Sequence, residues 1–517
     1  SAVIYRRAPG CALPPRLRFP YVGISEAQRH PFTLLSRGIL CGMMGVRATT
    51  PGHRRRAYLK MERTEAAYPE LSGKSYYVMT FGCQMNVSDT ERMEAILSDA
   101  GMERAPSAEH ADLVLLNTCS VRQKAEDRAY GNLGHLKPLR SARPGMLIGV
   151  CGCMAQREGE DVLRKAPHVS LVIGTAQIHR LPGLAATAWR TGERLVATDL
   201  PARRSLEEIE AEEDLLAGLA RGRDPHKAWV PVMYGCDRFC AFCIVPMTRG
   251  AERSRRPEEI EAQVRAAAAA GRKEVTLLGQ TVNSYGHKLP RGITFAELLR
   301  RLNEIEGIER IRFTSPYPMG FTDELIDAIA ELPKVCEHVH LPLQSGDDEV
   351  LAAMRRGYTV AEYEKVYWAL RERVPGISIT TDLMVGHPGE TLEQHENSLR
   401  TVGRLRFDAA FTFHFSPRPR TRAARMPGQV PQAEKMRRLA ELIELQNAIT
   451  MERNASHIGE VLEVLVDGPS DKDPSVLAGY ARNNKLVHFP GPAHLAGELC
   501  QVRITEAHIW GLSGERA

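Results

Sequence analysis

Three cysteines stand close together at Cys236-x3-Cys240-x2-Cys243. Thiolates at this spacing can bind three irons of a 4Fe–4S cluster, since such clusters are held by cysteine sulfur. The fourth iron then has no protein ligand and is open to a small molecule. Zinc is the rival, but a structural zinc site closes four ligands, commonly as paired Cys-x2-Cys units. No fourth Cys or His follows nearby. A redox disulfide fits less well, because three cysteines do not pair off. A second, dispersed set is Cys83, Cys119 and Cys153, separated by 36 and 34 residues. Either these converge on a second cluster or they are three buried thiols, free cysteine being among the most buried residue types. Spacing alone does not choose.

The elements around these cysteines decide whether convergence is possible. Tyr76–Phe81, Asp112–Thr118, Met146–Val150 and Leu171–Gly174 are apolar, strand-like runs, and helical stretches lie between them. Such alternation implies a parallel sheet covered by helices on both faces. Ser88-Asp89-Thr90-Glu91 has the form of a capping box opening a helix through Asp99. Each dispersed cysteine follows a strand, so all three are expected at the carboxyl edge, where open α/β sheets bind ligands. Farther on, Trp229–Tyr234, Glu274–Gly279, Arg310–Thr314, His338–Leu343, Ile377–Val385 and Ala409–Phe415 read as six more strands. Helices are expected over Pro257–Ala270, Thr322–Leu332, Ala361–Arg373 and, longer, Pro431–Ile458. Six βα units make an incomplete barrel, a closed one having eight. Cys236 follows its first strand, at the end where such barrels carry their sites. Val461–Val466, Leu486–Phe489 and Leu499–Ile504, with Gly and Pro between them, describe a small C-terminal β-barrel of the oligonucleotide-binding kind.

A chain of 517 residues has room for about three such domains. Its 43% hydrophobic and 25% charged residues are those of a globular protein, and no apolar run reaches the roughly 20 residues of a membrane span. The net charge of +5 is uneven: residues 1–60 hold 11 Arg and Lys against Glu26, which leaves −5 for the rest. The basic balance therefore says nothing about nucleic-acid binding by the body of the chain. Residues 1–60 read either as an organellar transit peptide or as translated sequence ahead of a start at Met61. Eleven cysteines without a clean secretory signal argue for a reducing compartment. The expected division is a leader (1–74), a doubly wound α/β domain (75–190), a charged linker (191–221), the partial (βα)6 barrel (222–453) and the small barrel (454–517).

GCDRFCAFCIVPMTRGAERSR (Gly235–Arg255) resembles the signature of radical S-adenosylmethionine (AdoMet) enzymes, and of their methylthiotransferase branch in particular. TFGCQMNVSDTER (Thr80–Arg92), NTCSVRQKAEDR (Asn117–Arg128) and GCMAQ (Gly152–Gln156) are similar to the three motifs of that branch's N-terminal domain. Further motifs of the same kind are LLGQTVNSYG (Leu277–Gly286), HLPLQSGDDEVLAAMRRGYT (His340–Thr359), TDLMVGHPGET (Thr381–Thr391) and SPRPRTRAA (Ser416–Ala424). GYARNNKLVHFPG (Gly479–Gly491) resembles a TRAM domain, a small RNA-binding barrel. The resemblance covers about residues 75–517. It implies two 4Fe–4S clusters, one on Cys236, Cys240 and Cys243 and one on Cys83, Cys119 and Cys153; Cys151, Cys11, Cys41, Cys336 and Cys500 are left as non-ligands. AdoMet would chelate the open iron of the first cluster and be cleaved to a 5′-deoxyadenosyl radical, while the second would carry or supply the sulfur. Phe242, Gln280, Gln344, Ser345 and Asp382 are the candidates to hold AdoMet, with packing as the plain alternative for each.

The resemblance is to the branch acting on N6-isopentenyladenosine beside the tRNA anticodon, through Gln84-Met85-Asn86 and Ser120-Val121-Arg122. A ribosomal-protein methylthiotransferase and a non-catalytic iron–sulfur RNA-binding protein are the other readings. Implied partners are a tRNA carrying isopentenyladenosine, an electron donor such as flavodoxin or ferredoxin, and a sulfur donor. The expected state is a monomer in the cytoplasm, or in mitochondria if the leader is a transit peptide. Candidate RNA contacts are Arg249, Arg253, Arg255 and Arg256, then Arg418, Arg420, Arg422 and Arg425, and in the last domain Arg482 and Lys485. There Tyr480 and Phe489 either stack on bases or fill the core. Residues 454–517 carry 5 basic and 8 acidic residues, so non-specific phosphate attraction is weak there. Three departures from the family stand out: His387 where an aromatic or aliphatic residue is usual, Arg420 in place of Gly, and Phe415 in place of Tyr.

Overall fold

The first six strands pair in parallel in the order β2-β1-β3-β4-β5-β6. They are β1 (Ser75–Thr80), β2 (Glu103–Arg104), β3 (Leu113–Thr118), β4 (Leu147–Cys151), β5 (Leu171–Ile173) and β6 (Leu195–Ala197). The helices are α1 (Gln84–Asp99), α2 (Gln123–Ala142), α3 (Gly152–Glu158), α4 (Glu160–Lys165) and α5 (Leu181–Thr191). Side chains alternate along a strand, and here the alternation separates two cores. Leu113 and Leu115 pack with Met93, Ile96 and Leu97 of α1. Val114 and Leu116 pack on the other face with Ala129, Leu133 and Leu136 of α2. This is the doubly wound sheet expected. Its strand order reverses direction between β1 and β3, the crevice where such sheets place ligands. The sheet continues through β6, so the domain runs past the expected boundary at residue 190. This computed structural model describes residues 68–120, 123–200, 223–470 and 472–517. The leader up to residue 67 (with Cys11 and Cys41), most of the expected linker, Val121 and Arg122 lie outside the described residues. No described helix is long and apolar enough to cross a membrane.

The expected capping box does not open a helix. α1 begins at Gln84, with Cys83 in extended conformation at its N-cap. Ser88 to Glu91 lie buried inside it, and three of them have tertiary partners: Asp89 pairs with Arg249, Thr90 with Thr80 and Asn117, and Glu91 accepts from the Arg223 amide.

The second lobe is an open arc of six parallel strands: β7 (Lys227–Pro231), β10 (Glu274–Leu278), β11 (Arg310–Phe313), β12 (His338–His340), β13 (Ser378–Val385) and β14 (Ala409–His414). A bridge between Ile311 and Val335 joins its two three-stranded halves. The first expected strand breaks at Val232. Met233–Tyr234 (β8) leaves the barrel and pairs antiparallel with Arg253–Ser254 (β9). Helices α6 (Val245–Arg249), α7 (Pro257–Ala269), α8 (Phe295–Asn303), α9 (Asp323–Glu331), α10 (Asp348–Ala353), α11 (Val360–Arg373), α12 (Leu392–Leu405) and α13 (Gln432–Ala455) complete the lobe. True capping boxes start α11 and α12, at Thr359 with Glu362 and at Thr391 with Gln394.

The C-terminal lobe is a closed five-stranded barrel of β15 (Val461–Pro469), β16 (Val476–Ala481), β17 (Leu486–Pro490), β18 (Leu499–His508) and β19 (Gly511–Arg516). Its Arg482–Lys485 turn plugs the floor of the larger barrel, where the strands begin. Arg310 donates to the Tyr480 and Glu463 carbonyls and to the Glu463 carboxylate. Arg312 donates to the Ala481 and Arg482 carbonyls. Arg482 pairs with Glu337 at 2.7 Å, and the Lys485 ammonium donates to the Asp408 carbonyl. Lys227 sits 4.9 Å over the Tyr480 ring, and Phe489 is enclosed in the small barrel's core. Arg482 and Lys485, expected as RNA contacts, are thus engaged with the larger barrel's own groups; Phe489 takes the core-filling side of its two readings, and Tyr480 packs beneath Lys227. The docking has a measurable weight. Arg310 is fully buried, and its removal strands Glu463 and two carbonyls. Arg310→Met is expected to cost about 3 kcal/mol, read as a lower unfolding midpoint in urea.

Candidate active site

The dispersed cysteines do converge. Cys83 follows β1, Cys119 follows β3, and Cys153 lies in the first turn of α3 after β4. Two of the three strand–helix turns are tight enough to demand glycine. At Gly82 (φ +130°) a Cβ would stand 2.7 Å from the Cβ of Cys119. At Gly152 (φ +87°) it would meet Asn117 and the Thr118 carbonyl at 2.5 Å. A buried amide web ties the three turns together. Asn86 Nδ2 donates to Asn117 Oδ1 and to the Thr118 carbonyl at 3.1 and 3.0 Å. Asn117 Nδ2 donates back to the Asn86 carbonyl at 2.7 Å, and Thr118 Oγ1 to the Cys151 carbonyl at 2.6 Å. Sequence reading singled out none of Asn86, Asn117 and Thr118 as positioning residues, although all lie inside the quoted motifs. Burial pushes the Cys153 thiol up to about 11; nearby Arg249 lowers it, while Cys119 and Cys83 raise it further. Cys151 points into the core behind the sheet, and burial takes its thiol to about 12.

The second trio lies on the loop leaving β8, beside the open end of the larger barrel. The Cys236 amide donates to the Gly250 carbonyl at 3.2 Å, and the Ala241 amide to the Met354 carbonyl at 2.9 Å. Arg356 donates to Cys240 Sγ at 3.4 Å, and the Val245 amide to Cys243 Sγ at 3.5 Å. Burial raises the Cys243 thiol to about 12; the Val245 amide works against this, and Cys240 and Cys236 add to it. Both trios are thus sets of mutually repelling sulfurs, costly to ionise unless a cation sits among them. Iron does this by replacing the protons outright. No group of three His, Cys, Asp or Glu among the described residues is drawn together to hold a single metal ion, whereas a cubane offers each thiolate its own iron corner. The donor set fits a cluster at each trio.

Backbone strain gathers at the same mouth. Phe239, Ser315 and Gln344 have φ of +48°, +56° and +74°, a region bulky residues avoid. Phe239, between two cysteines of the trio, is 59% exposed. Among the AdoMet candidates, Gln280 keeps a buried Oε1 without a hydrogen-bond partner, and Asp382 lies 3.5 Å from His340 Nε2 on the luminal face. Phe242 packs in the small cluster of Ala241, Phe415 and Ala423. Gln344 is held by backbone bonds to Asp382 and Met384. The Ser345 hydroxyl bonds Ser398 of α12 at 3.2 Å, so it serves the helix packing rather than the mouth.

The arginines near the mouth divide sharply. Arg249 is buried against Asp89 at 2.7 Å. Arg255 is fully enclosed and donates to the Pro231 carbonyl and Gln263. Arg418 is buried with Glu126 at 3.9 Å. These three face the protein's own groups, which corrects their reading as RNA contacts. Arg253 lies over the Tyr234 ring at 5.2 Å. Arg256, Arg420, Arg422 and Arg425 are exposed.

An open six-stranded barrel with Cys-x3-Cys-x2-Cys at its mouth defines a radical AdoMet enzyme, and residues 230–402 match the Radical SAM superfamily. Residues 75–174 match Uncharacterized protein family UPF0004, and 455–515 the TRAM domain. The tRNA-2-methylthio-N(6)-dimethylallyladenosine synthase of Moorella thermoacetica is 48% identical over 446 residues, covering 86% of this chain and 98% of that protein. The synthase of that name from Shouchella clausii is 43% identical over 470 residues, covering 89% and 88%. The solved structure of the radical S-adenosylmethionine methyltransferase TsrM from Kitasatospora setae is 16% identical, with a TM-score of 0.48, covering 68% of this chain and 77% of that chain. The chain belongs to the tRNA-2-methylthio-N(6)-dimethylallyladenosine synthase family. It is a radical AdoMet tRNA methylthiotransferase, with AdoMet and 4Fe–4S clusters as cofactors.

Two departures from the family now have a physical meaning. Arg420 has φ +72°, which explains why glycine is usual there; Arg420→Gly is expected to gain about 1 kcal/mol by relieving a left-handed Cβ, measured as a higher melting temperature. His387 is fully buried against Phe415, neither ring nitrogen makes a well-formed hydrogen bond, and burial lowers its pKa to about 4 against an opposing pull from the Pro388 backbone. The unfolded chain therefore binds a proton near pH 6.5 that the folded chain refuses until about pH 4, so stability falls as pH drops through that window. His387→Phe removes both orphaned nitrogens. It is expected to stabilise by about 1–3 kcal/mol and to flatten the melting-temperature profile between pH 7 and 4.

Proposed function

We propose that this chain methylthiolates C2 of N6-isopentenyladenosine at position 37 of tRNA, next to the anticodon. The observation that carries the reading is the convergence of two cysteine trios, one at each strand edge, in a chain whose near full-length relatives bear the synthase name. Cys236, Cys240 and Cys243 hold one 4Fe–4S cluster, leaving an iron for AdoMet. Cys83, Cys119 and Cys153 hold the other, on the sulfur-supplying side. Bound AdoMet supplies the radical that activates the substrate carbon. The chain's own part is positional. Gln280 and Asp382 offer polar groups to AdoMet at the mouth, Phe242 walls it, and the closed floor leaves the mouth as the axial entrance.

The ribosomal-protein alternative shares this chemistry, but the C-terminal barrel and the names of the relatives favour RNA. Arg420, Arg422 and Arg425 on the loop after β14, with exposed Phe239, are the surface offered to the anticodon arm. An external one-electron donor of the flavodoxin or ferredoxin type and a sulfur donor complete the cycle. The protein acts as a cytoplasmic monomer.

Anaerobically reconstituted protein is expected to hold about eight irons per chain, the sum of two cubanes, and to release 5′-deoxyadenosine with dithionite. Cys240→Ala is expected to abolish that release. Nucleoside mass spectrometry of tRNA from cells lacking the protein should show loss of the 2-methylthio group from isopentenyladenosine; unchanged 2-methylthio nucleosides would remove the proposal.

A further inference from the structure

The Cys83 trio is not built by its own domain alone. α6 starts two residues after Cys243 and ends at Arg249, whose guanidinium crosses to α1 and bonds Asp89 Oδ2 at 2.7 Å. Both side chains are buried, and Arg249 lies within electrostatic reach of Cys153 and Cys83. The residue after Arg249 is anchored as well, because the Gly250 carbonyl accepts from the Cys236 amide. The Thr248 carbonyl accepts from Thr175 Oγ1 of the N-terminal domain. The helix that begins two residues after Cys243 is therefore anchored at its far end to the domain that carries the other trio, through Asp89 and Thr175. On the opposite side, Arg418, from the loop after β14, stands near Glu126, Arg157 and Cys119. Arg92, one turn along α1 from Asp89, is also buried, and its Nε and Nη2 find no partner.

Three thiolates around a cubane carry a net negative charge that grows on reduction or on loading with sulfide. In a buried setting such charge needs nearby cations. Asp89 holds Arg249 in place, and α6, which ends at Arg249, packs directly against α3, the helix that carries Cys153.

We infer that Arg249, delivered by the radical domain and oriented by Asp89, is a positioning residue that sets the reduction potential of the cluster on Cys83, Cys119 and Cys153. The inference rests on the two-cluster reading above. A cation beside a cluster favours its reduced, more negative form, and an anion favours the oxidised form. The two members of the ion pair therefore act in opposite directions, which a purely structural role does not produce.

The test is an EPR-monitored redox titration of the full-length, reconstituted protein. The radical cluster is recognised by its spectral response to AdoMet, and the other cluster by its lack of one. Arg249→Met is expected to shift the reduction equilibrium of the AdoMet-insensitive cluster about tenfold toward the oxidised form, a fall of about 59 mV for one electron. Asp89→Asn is expected to shift it upward, and Arg249→Lys to restore most of the unsubstituted value. Arg356→Met, which touches Cys240 instead, serves as the control and is expected to move only the AdoMet-sensitive cluster. Should Arg249→Met fail to fold, Asp89→Asn and Arg249→Lys still give the sign. An unchanged potential, or a shift of the same sign in Arg249→Met and Asp89→Asn, overturns the inference. Iron near four per chain in the unsubstituted protein overturns the two-cluster reading as well.

Discussion

Parallel β-pairing is the constraint on which the rest of this molecule depends. Strands that run the same way release every following turn at one edge, so residues more than thirty positions apart in sequence are delivered to a common point. Cys83, Cys119 and Cys153 meet for this reason. The register of β1 with β3 and of β3 with β4 (Thr80 beside Asn117, Asn117 beside Cys151) brings the three turns level. The larger barrel uses the same geometry, with its trio beyond β7 and its strained Ser315 and Gln344 beyond β11 and β12. Glycines at 82 and 152 and the Asn86–Asn117 web then hold the edge in place, with Cys83 Sγ also donating to Asn86 Oδ1 at 3.5 Å.

Buried charge is the second organising element, and it lies where lobes meet. Arg310, Arg312, Arg482 and Lys485 join the small barrel to the base of the large one through carbonyls and two carboxylates. Arg249 and Arg418 join the large barrel to the doubly wound domain. Arginine suits such seams, since its planar fork satisfies several acceptors at once and its charge is not lost on burial. The same buried pairs cost much to break and add little relative to a well-packed apolar contact. What they provide is a fixed placement of one lobe on the next.

Much of this architecture is legible in the sequence because it is locally written. The six barrel strands, the long α13 and the Cys236 trio follow from apolar runs and spacing, whereas the Cys83 trio needs the family resemblance to be read as a cluster site. β2 and β6 escape notice because they are two and three residues long, at the edges of a sheet that needs no pattern from them. The false capping box at Ser88–Glu91 shows the other limit: the same residue types answer to a helix end or to a buried partner, and Arg249, 160 residues away, claims Asp89. The arginines were legible as lying near the site but not in what they face. A guanidinium aimed at phosphate and one aimed at Glu126 have the same sequence signature, and only the fold shows which carboxylate stands opposite.

The docked small barrel has a consequence for access. Its Arg482–Lys485 turn is hydrogen-bonded to groups at the starts of the large barrel's strands, so that end is taken by the chain's own residues. A bulky polymer is left the opposite end, where Cys236, Cys240 and Cys243 lie, and the open side between β7 and β14.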